Sequence, residues 1–160
     1  GVLDAYGVEW TEENKMDLVH EFRMRMINAP AFNSDNIRAA IVYSANVDRG
    51  IVDALKQKDI EVFLKIDYGC KEDGTLKQIP IKQMIEKAVA HDCYGTKMRS
   101  IVKSRLMIEE VLHQQFKIAE TIYNAGLMPI VEPEVPIDHP NKELVELRLL
   151  KWEENPSNIR

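Results

Sequence analysis

Three charged pairs in the sequence share one spacing: Lys65 with Asp67, Lys97 with Arg99, and Glu132 with Glu134. Each stands at i and i+2 at the end of a short apolar run. In an extended strand, residues two apart project from the same face, so each pair would present its two charges together. On neighbouring parallel strands, the cations Lys65, Lys97 and Arg99 would converge with the carboxylates Asp67, Glu132 and Glu134. Burying such ions is costly unless they are paired or bound. Cations in such a cluster hold phosphates or polarise a carbonyl, while carboxylates move protons or orient a lysine. Any single pair reads equally well as a structural ion pair or a solvated loop start. Three in register favour a site, with a phosphorylated small molecule as the expected substrate.

The elements that must carry these pairs follow from apolar spacing. A first helix is predicted from Thr11 as N-cap, with Leu18, Val19, Phe22 and Met26 on one face and Pro30 blocking continuation. Strands are predicted at 37–43, 60–67, 93–98 and 127–132, the last with Pro129 near its start. Between and after them, helices are predicted at 52–58, 81–90, 104–124 and 142–153. The helix at 104–124 repeats Ile108, Val111, Leu112, Gln115, Ala119 and Ile122 at intervals of three and four, and Gly126 ends it. The last helix carries Leu144, Leu147, Leu150 and Lys151 and runs into a polar tail at 155–160. Strand alternating with helix implies parallel β/α units, so the fold class is α/β. Right-handed crossovers place all strand C-termini on one edge, where ligands bind in sheets of this kind.

Composition bounds the rest. The 160 residues are 45% hydrophobic and 29% charged, the profile of one globular domain spanning 1–160. A net charge of -5 speaks against a nucleic-acid partner. No apolar run approaches the roughly 18 residues of a membrane span. Asp4 and Glu9 interrupt the start, so no secretory signal is read there. Cys70 and Cys93 lack metal-ligand spacing, and His20, His91, His113 and His139 form no set, so no metal and no disulfide is expected. A reducing cytoplasm fits this cysteine usage. Asp73-Gly74 is a turn rather than a calcium loop, and Tyr94-Gly95-Thr96-Lys97 lacks a P-loop frame.

Several motifs resemble class I fructose-1,6-bisphosphate aldolase, in particular its short bacterial-type branch. They are Phe63-Leu64-Lys65-Ile66-Asp67-Tyr68-Gly69, Tyr94-Gly95-Thr96-Lys97-Met98-Arg99-Ser100, Gln114-Gln115-Phe116 and Leu127-Met128-Pro129-Ile130-Val131-Glu132-Pro133-Glu134-Val135. The motifs around Lys97 and Glu132 are the most specific. The resemblance implies a TIM barrel that cleaves fructose 1,6-bisphosphate reversibly into dihydroxyacetone phosphate and glyceraldehyde 3-phosphate, in glycolysis and gluconeogenesis. The chemistry it implies runs through a lysine Schiff base and needs no metal or cofactor. It implies that Glu132 accepts and shuttles protons, that Glu134 orders the charged network, and that Lys97 tunes the site, helped by Arg99. Lys65 would contact substrate, supported by Asp67.

The same resemblance marks departures. The family's imine-forming lysine follows the Glu-Pro-Glu strand, and here Lys142 and Lys151 fall on a helix instead. Tyr68 stands where the family has a lysine, and the early aspartate and serine contacts and the late Ser-Gly-Gly phosphate loop have no counterpart. A complete barrel of this type takes about 250 residues. About four strands of eight are therefore expected, an incomplete barrel with open edges through which copies could associate. Two other readings stand beside it: a different β/α-barrel aldolase acting on a phosphorylated sugar, and a non-catalytic half-barrel scaffold.

Overall fold

The computed structural model describes residues 1–153; the polar tail expected at 155–160 lies outside them. Backbone contacts gather into two compact units, one over Gly1–Val62 and one from Phe63 onward.

The first unit holds α1 (Val2–Ala5), α2 (Lys15–Asn28), β1 (Ala39–Tyr43), a 3-10 turn at Val47–Arg49 and α3 (Ile51–Lys56). Its buried side chains include Leu3, Ile27, Val42, Val47, Ile51, Val52 and Leu55. Thr11 does not cap the long helix. Its amide donates to Asn14 Oδ1 at 2.7 Å and its hydroxyl accepts from the Asn14 amide at 3.4 Å, closing a separate turn. That turn moves the start of α2 to Lys15. Ile27 is buried while Met26 is 48% exposed, because adjacent apolar residues allow either face and packing selects the Ile27 row. The strand predicted from Ile37 begins at Ala39, since the Ile37 amide is held in a turn by Asn33 O at 2.9 Å.

The second unit contains the end of β2 (Glu61–Lys65), α4 (Ile81–Ala90), β3 (Gly95–Ile101), α5 (Ile108–Asn124), β4 (Met128–Glu134) and α6 (Lys142–Glu153). The sheet order is β1-β2-β3-β4, and β2/β3 and β3/β4 pair in parallel. Each strand is followed by a helix, so the class is α/β with the repeating unit of a (β/α) barrel, four strands of it among the described residues. Val62, Leu64, Ile66, Met98 and Ser100 are buried on one face of the sheet. The stripe predicted on α5 is correct at every position: Ile108, Val111, Leu112, Gln115, Ala119 and Ile122 are all buried. Ser104 caps a short 3-10 turn at Arg105–Met107 rather than α5 itself, its Oγ accepting from Leu106 N at 3.2 Å. On α6, Val145, Leu149 and Trp152 join the core with Val102, Val111 and Leu112, while Leu144, Leu147 and Leu150 are turned outward.

Two glycines are demanded by close approach. A Cβ at Gly95 would lie 1.9 Å from Met128 O and 2.8 Å from a carbon of the Phe63 ring. Because the nearest obstacle is the backbone of the neighbouring strand, β3 and β4 could not keep their register around an alanine. Gly95→Ala is expected to lower the unfolding free energy by about 3 kcal/mol or more, read from the urea midpoint. Gly74, at φ +92°, brings its turn against β3, and its carbonyl accepts from Ile101 N at 3.0 Å.

Candidate active site

The register of the strands brings all six expected residues to one face. Lys65 lies opposite Lys97, Arg99 opposite Glu132, and Ile101 opposite Glu134. Lys65, Lys97 and Arg99 therefore share a face with Glu132 and Glu134, and Asp67 continues it just beyond β2. Three ion pairs form there: Lys65 Nζ to Asp67 Oδ1 at 2.6 Å, Lys97 Nζ to Glu132 Oε2 at 2.5 Å, and Arg99 Nη1 to Glu134 Oε2 at 2.8 Å. Both cations of β3 reach past the residue opposite them, to the carboxylate two positions further along β4.

The pairs differ in setting. The Asp67 carboxylate is 2% exposed and saturated, accepting also from Gly69 N at 3.1 Å and Arg99 N at 3.2 Å. This turn ends β2 at Lys65, although Ile66 N still bonds Lys97 O at 3.0 Å. Lys97 is buried and Glu132 half-buried, with side chains 10% and 42% exposed, so the acid of this pair opens to solvent while the ammonium does not. Arg99 and Glu134 both remain accessible, the setting in which ion pairs contribute little to stability. The face thus combines a fixed buried pair, a buried cation with an accessible carboxylate, and an accessible guanidinium. That set can bind an anion and accept a proton.

Two side chains behind this face went unrecognised as site residues. Gln115, fully buried on α5, accepts from Glu132 N at 3.0 Å and donates to Glu132 O at 3.1 Å. Gln114 does the same for Leu76, accepting from its amide at 2.7 Å and donating to its carbonyl at 3.1 Å. The available signal was a glutamine inside an apolar stripe, since a buried amide must find partners. Leu76 closes the loop after Asp67 through an antiparallel bridge to Cys70, whose thiol donates to Arg99 O at 3.4 Å. In the same loop, hydrogen bonds from the Thr75 hydroxyl and then its amide hold the Asp73 carboxyl below the usual carboxylate range. The turn keeps that stabilisation at neutral pH and loses it as pH falls through the lowered range.

The histidines remain scattered. His139, for one, lies in the loop after β4, with its ring at 3.1 Å from Lys103 O. Cys93 is buried and Cys70 partly exposed, and the two are not joined in a disulfide. Among the described residues no group of His, Cys, Asp or Glu is arranged to hold a metal ion, and no helix is long and apolar enough to cross a membrane.

Four strands in one sheet, each followed by a helix, with a charged cluster on one face of β2, β3 and β4, make up part of a β/α-barrel architecture. A comparison with protein-family models returns no match. The chain is 35% identical to the class 1 fructose-bisphosphate aldolase of Porphyromonas gingivalis over 169 aligned positions, covering 94% of this chain and 57% of that protein. It is 41% identical to the class 1 fructose-bisphosphate aldolase of Clostridium acetobutylicum over 155 positions, covering 89% of this chain and 52% of that protein. The resemblance read from the motifs therefore extends along nearly the whole chain, which is similar to class 1 fructose-bisphosphate aldolases. The chain spans about half the length of the curated relatives it matches.

Proposed function

We propose that this chain carries part of the active site of a class I, Schiff-base fructose-bisphosphate aldolase that cleaves fructose 1,6-bisphosphate reversibly in cytoplasmic glycolysis and gluconeogenesis. The observation that carries the proposal is the Lys97–Glu132 pair, a buried ammonium against an accessible carboxylate on the face shared by Lys65, Asp67, Arg99 and Glu134. Glu132 would take the proton from the amine as it adds to the substrate ketone and pass it to the carbinolamine oxygen; a second proton, delivered from solvent through Glu132, leaves with that oxygen as water and gives the iminium. Lys97, its ammonium 2.5 Å from Glu132 Oε2, would stabilise the substrate oxygen that develops charge beside it. Arg99, ordered by Glu134, and Lys65, ordered by Asp67, are cations for the hydroxyls and phosphates of the sugar.

The amine itself must come from elsewhere. Among the described residues no strand follows β4, and both later lysines are on α6, where Lys142 is engaged by Glu146 at 2.7 Å and by Val135 O at 3.3 Å. The chain alone is therefore expected to give no borohydride-stable adduct with dihydroxyacetone phosphate. Joined to the portion of the P. gingivalis aldolase that it does not cover, it is expected to give one, seen as an intact-mass increase, and to cleave the bisphosphate. A folded chimera with neither adduct nor cleavage would overturn the proposal. In such an assembly the open edges at β1 and β4 are where further strands pair; in the isolated chain they are where copies associate.

A further inference from the structure

The two glutamines of α5 occupy successive positions, yet each amide bonds the backbone N–H and C=O of a single residue near the site. Gln115 bonds both backbone polar groups of Glu132, and Gln114 bonds both backbone polar groups of Leu76. A leucine at 115 would suit the apolar stripe better, since a buried amide without partners is costly. The partner it has is the peptide of the residue whose carboxylate sits 2.5 Å from the Lys97 ammonium. No other partner of that ammonium is found among the described residues. The place of the Glu132 Cα therefore decides whether Lys97 is neutralised.

We propose that Gln115 is a positioning residue: by clamping the Glu132 peptide from behind the sheet it sets the Glu132 carboxylate on Lys97. Gln114 independently sets the loop that continues from Asp67. One turn of α5 thereby ties two walls of the site to a single rigid element. The catalytic meaning of this clamp rests on the reading of Glu132 as the proton carrier, whereas the clamp itself can be tested on the chain alone.

The test uses two readouts on the 160-residue chain. One is the rate at which acetic anhydride labels Lys97, measured by peptide mass against the 89% exposed Lys82. The other is amide hydrogen exchange at Glu132 and Leu76. Gln115→Met, which keeps the volume and removes both hydrogen bonds, is expected to speed Lys97 labelling by about tenfold, the scale of two ordinary hydrogen bonds, and to speed exchange of the Glu132 amide, which then keeps only its place in the β3/β4 ladder. Leu76 should be untouched. Gln114→Met should release the Leu76 amide and leave Lys97 labelling at the wild-type rate, an asymmetry that a general loss of stability would not produce. A folded Gln115→Met chain with unchanged Lys97 labelling overturns the proposal, as does equal labelling in Gln114→Met. Should Gln115→Met fail to fold, the wild-type chain in sub-denaturing urea decides. The Lys97 amine and the Glu132 amide must then become accessible at the same urea concentration, and Lys97 opening while Glu132 stays protected overturns the clamp. Failure of the chimera to form an adduct would sink the aldolase reading and leave these results standing.

Discussion

Glu132→Gln in the chimera is expected to lower kcat by about 10²- to 10⁴-fold, the range for losing a positioned proton-transfer group, with KM nearly unchanged. Glutamine keeps the shape of the side chain and can still face the Lys97 ammonium through its carbonyl oxygen. It cannot take a proton from an adding amine or give one to a departing hydroxyl. The 42% exposure of the Glu132 side chain, against 10% for Lys97, makes Glu132 the member of the pair that a ligand can reach. Steady-state kinetics at saturating bisphosphate, with borohydride trapping alongside, measure this directly. A rise in KM with kcat preserved would assign Glu132 to uniform substrate binding and remove it from proton transfer. Because the substitution also leaves a buried ammonium without its anion, circular dichroism must first show the variant folded.

The second large effect concerns stability. Asp67→Asn is expected to cost about 3 kcal/mol, the scale for breaking a buried ion pair from one side. The carboxylate is 2% exposed and accepts from Lys65 Nζ, Gly69 N and Arg99 N. An asparagine can satisfy at most part of that set and removes the negative charge 2.6 Å from the Lys65 ammonium, whose side chain is 18% exposed. Urea unfolding of Asp67→Asn, Lys65→Met and the double variant gives the coupling. The double variant should recover part of the loss, since it removes both members of the pair. Destabilisation within about 0.5 kcal/mol of wild type would place Asp67 among ordinary surface residues and undo this account of how β2 ends.

Much of the fold was legible from local pattern. The bounds of α4 and α6 agree with expectation, and every residue of the α5 stripe is buried, because long amphipathic helices declare themselves through spacing alone. Strand ends were less legible. β3 was expected at 93–98 and runs from Gly95 to Ile101, since the Cys93 amide is used by Ala88 O at 2.9 Å and the far end is extended by pairing with β4. On α6, spacing drew attention to Leu144, Leu147 and Leu150, but the core takes Val145, Leu149 and Trp152, the last packed on Phe116 at 5.1 Å between ring centres. A helix with apolar residues on more than one face leaves that choice to its neighbours.

The site divides along the same line. The six charged residues and the shared face within each pair were legible in the sequence, because i and i+2 share a face in any strand. Their place along the strand was not legible for β3, which pairing with β4 carries on to Ile101, leaving Lys97 and Arg99 inside it. Which charge meets which was decided only by tertiary structure. Lys97 lies opposite Ile130 yet pairs with Glu132, and Arg99 lies opposite Glu132 yet pairs with Glu134. That offset follows from register between strands distant in the chain, and spacing within one strand carries no information about it. The hold of Gln115 on the Glu132 peptide likewise joins residues 17 apart in sequence, through a contact that exists only once α5 has packed on the sheet.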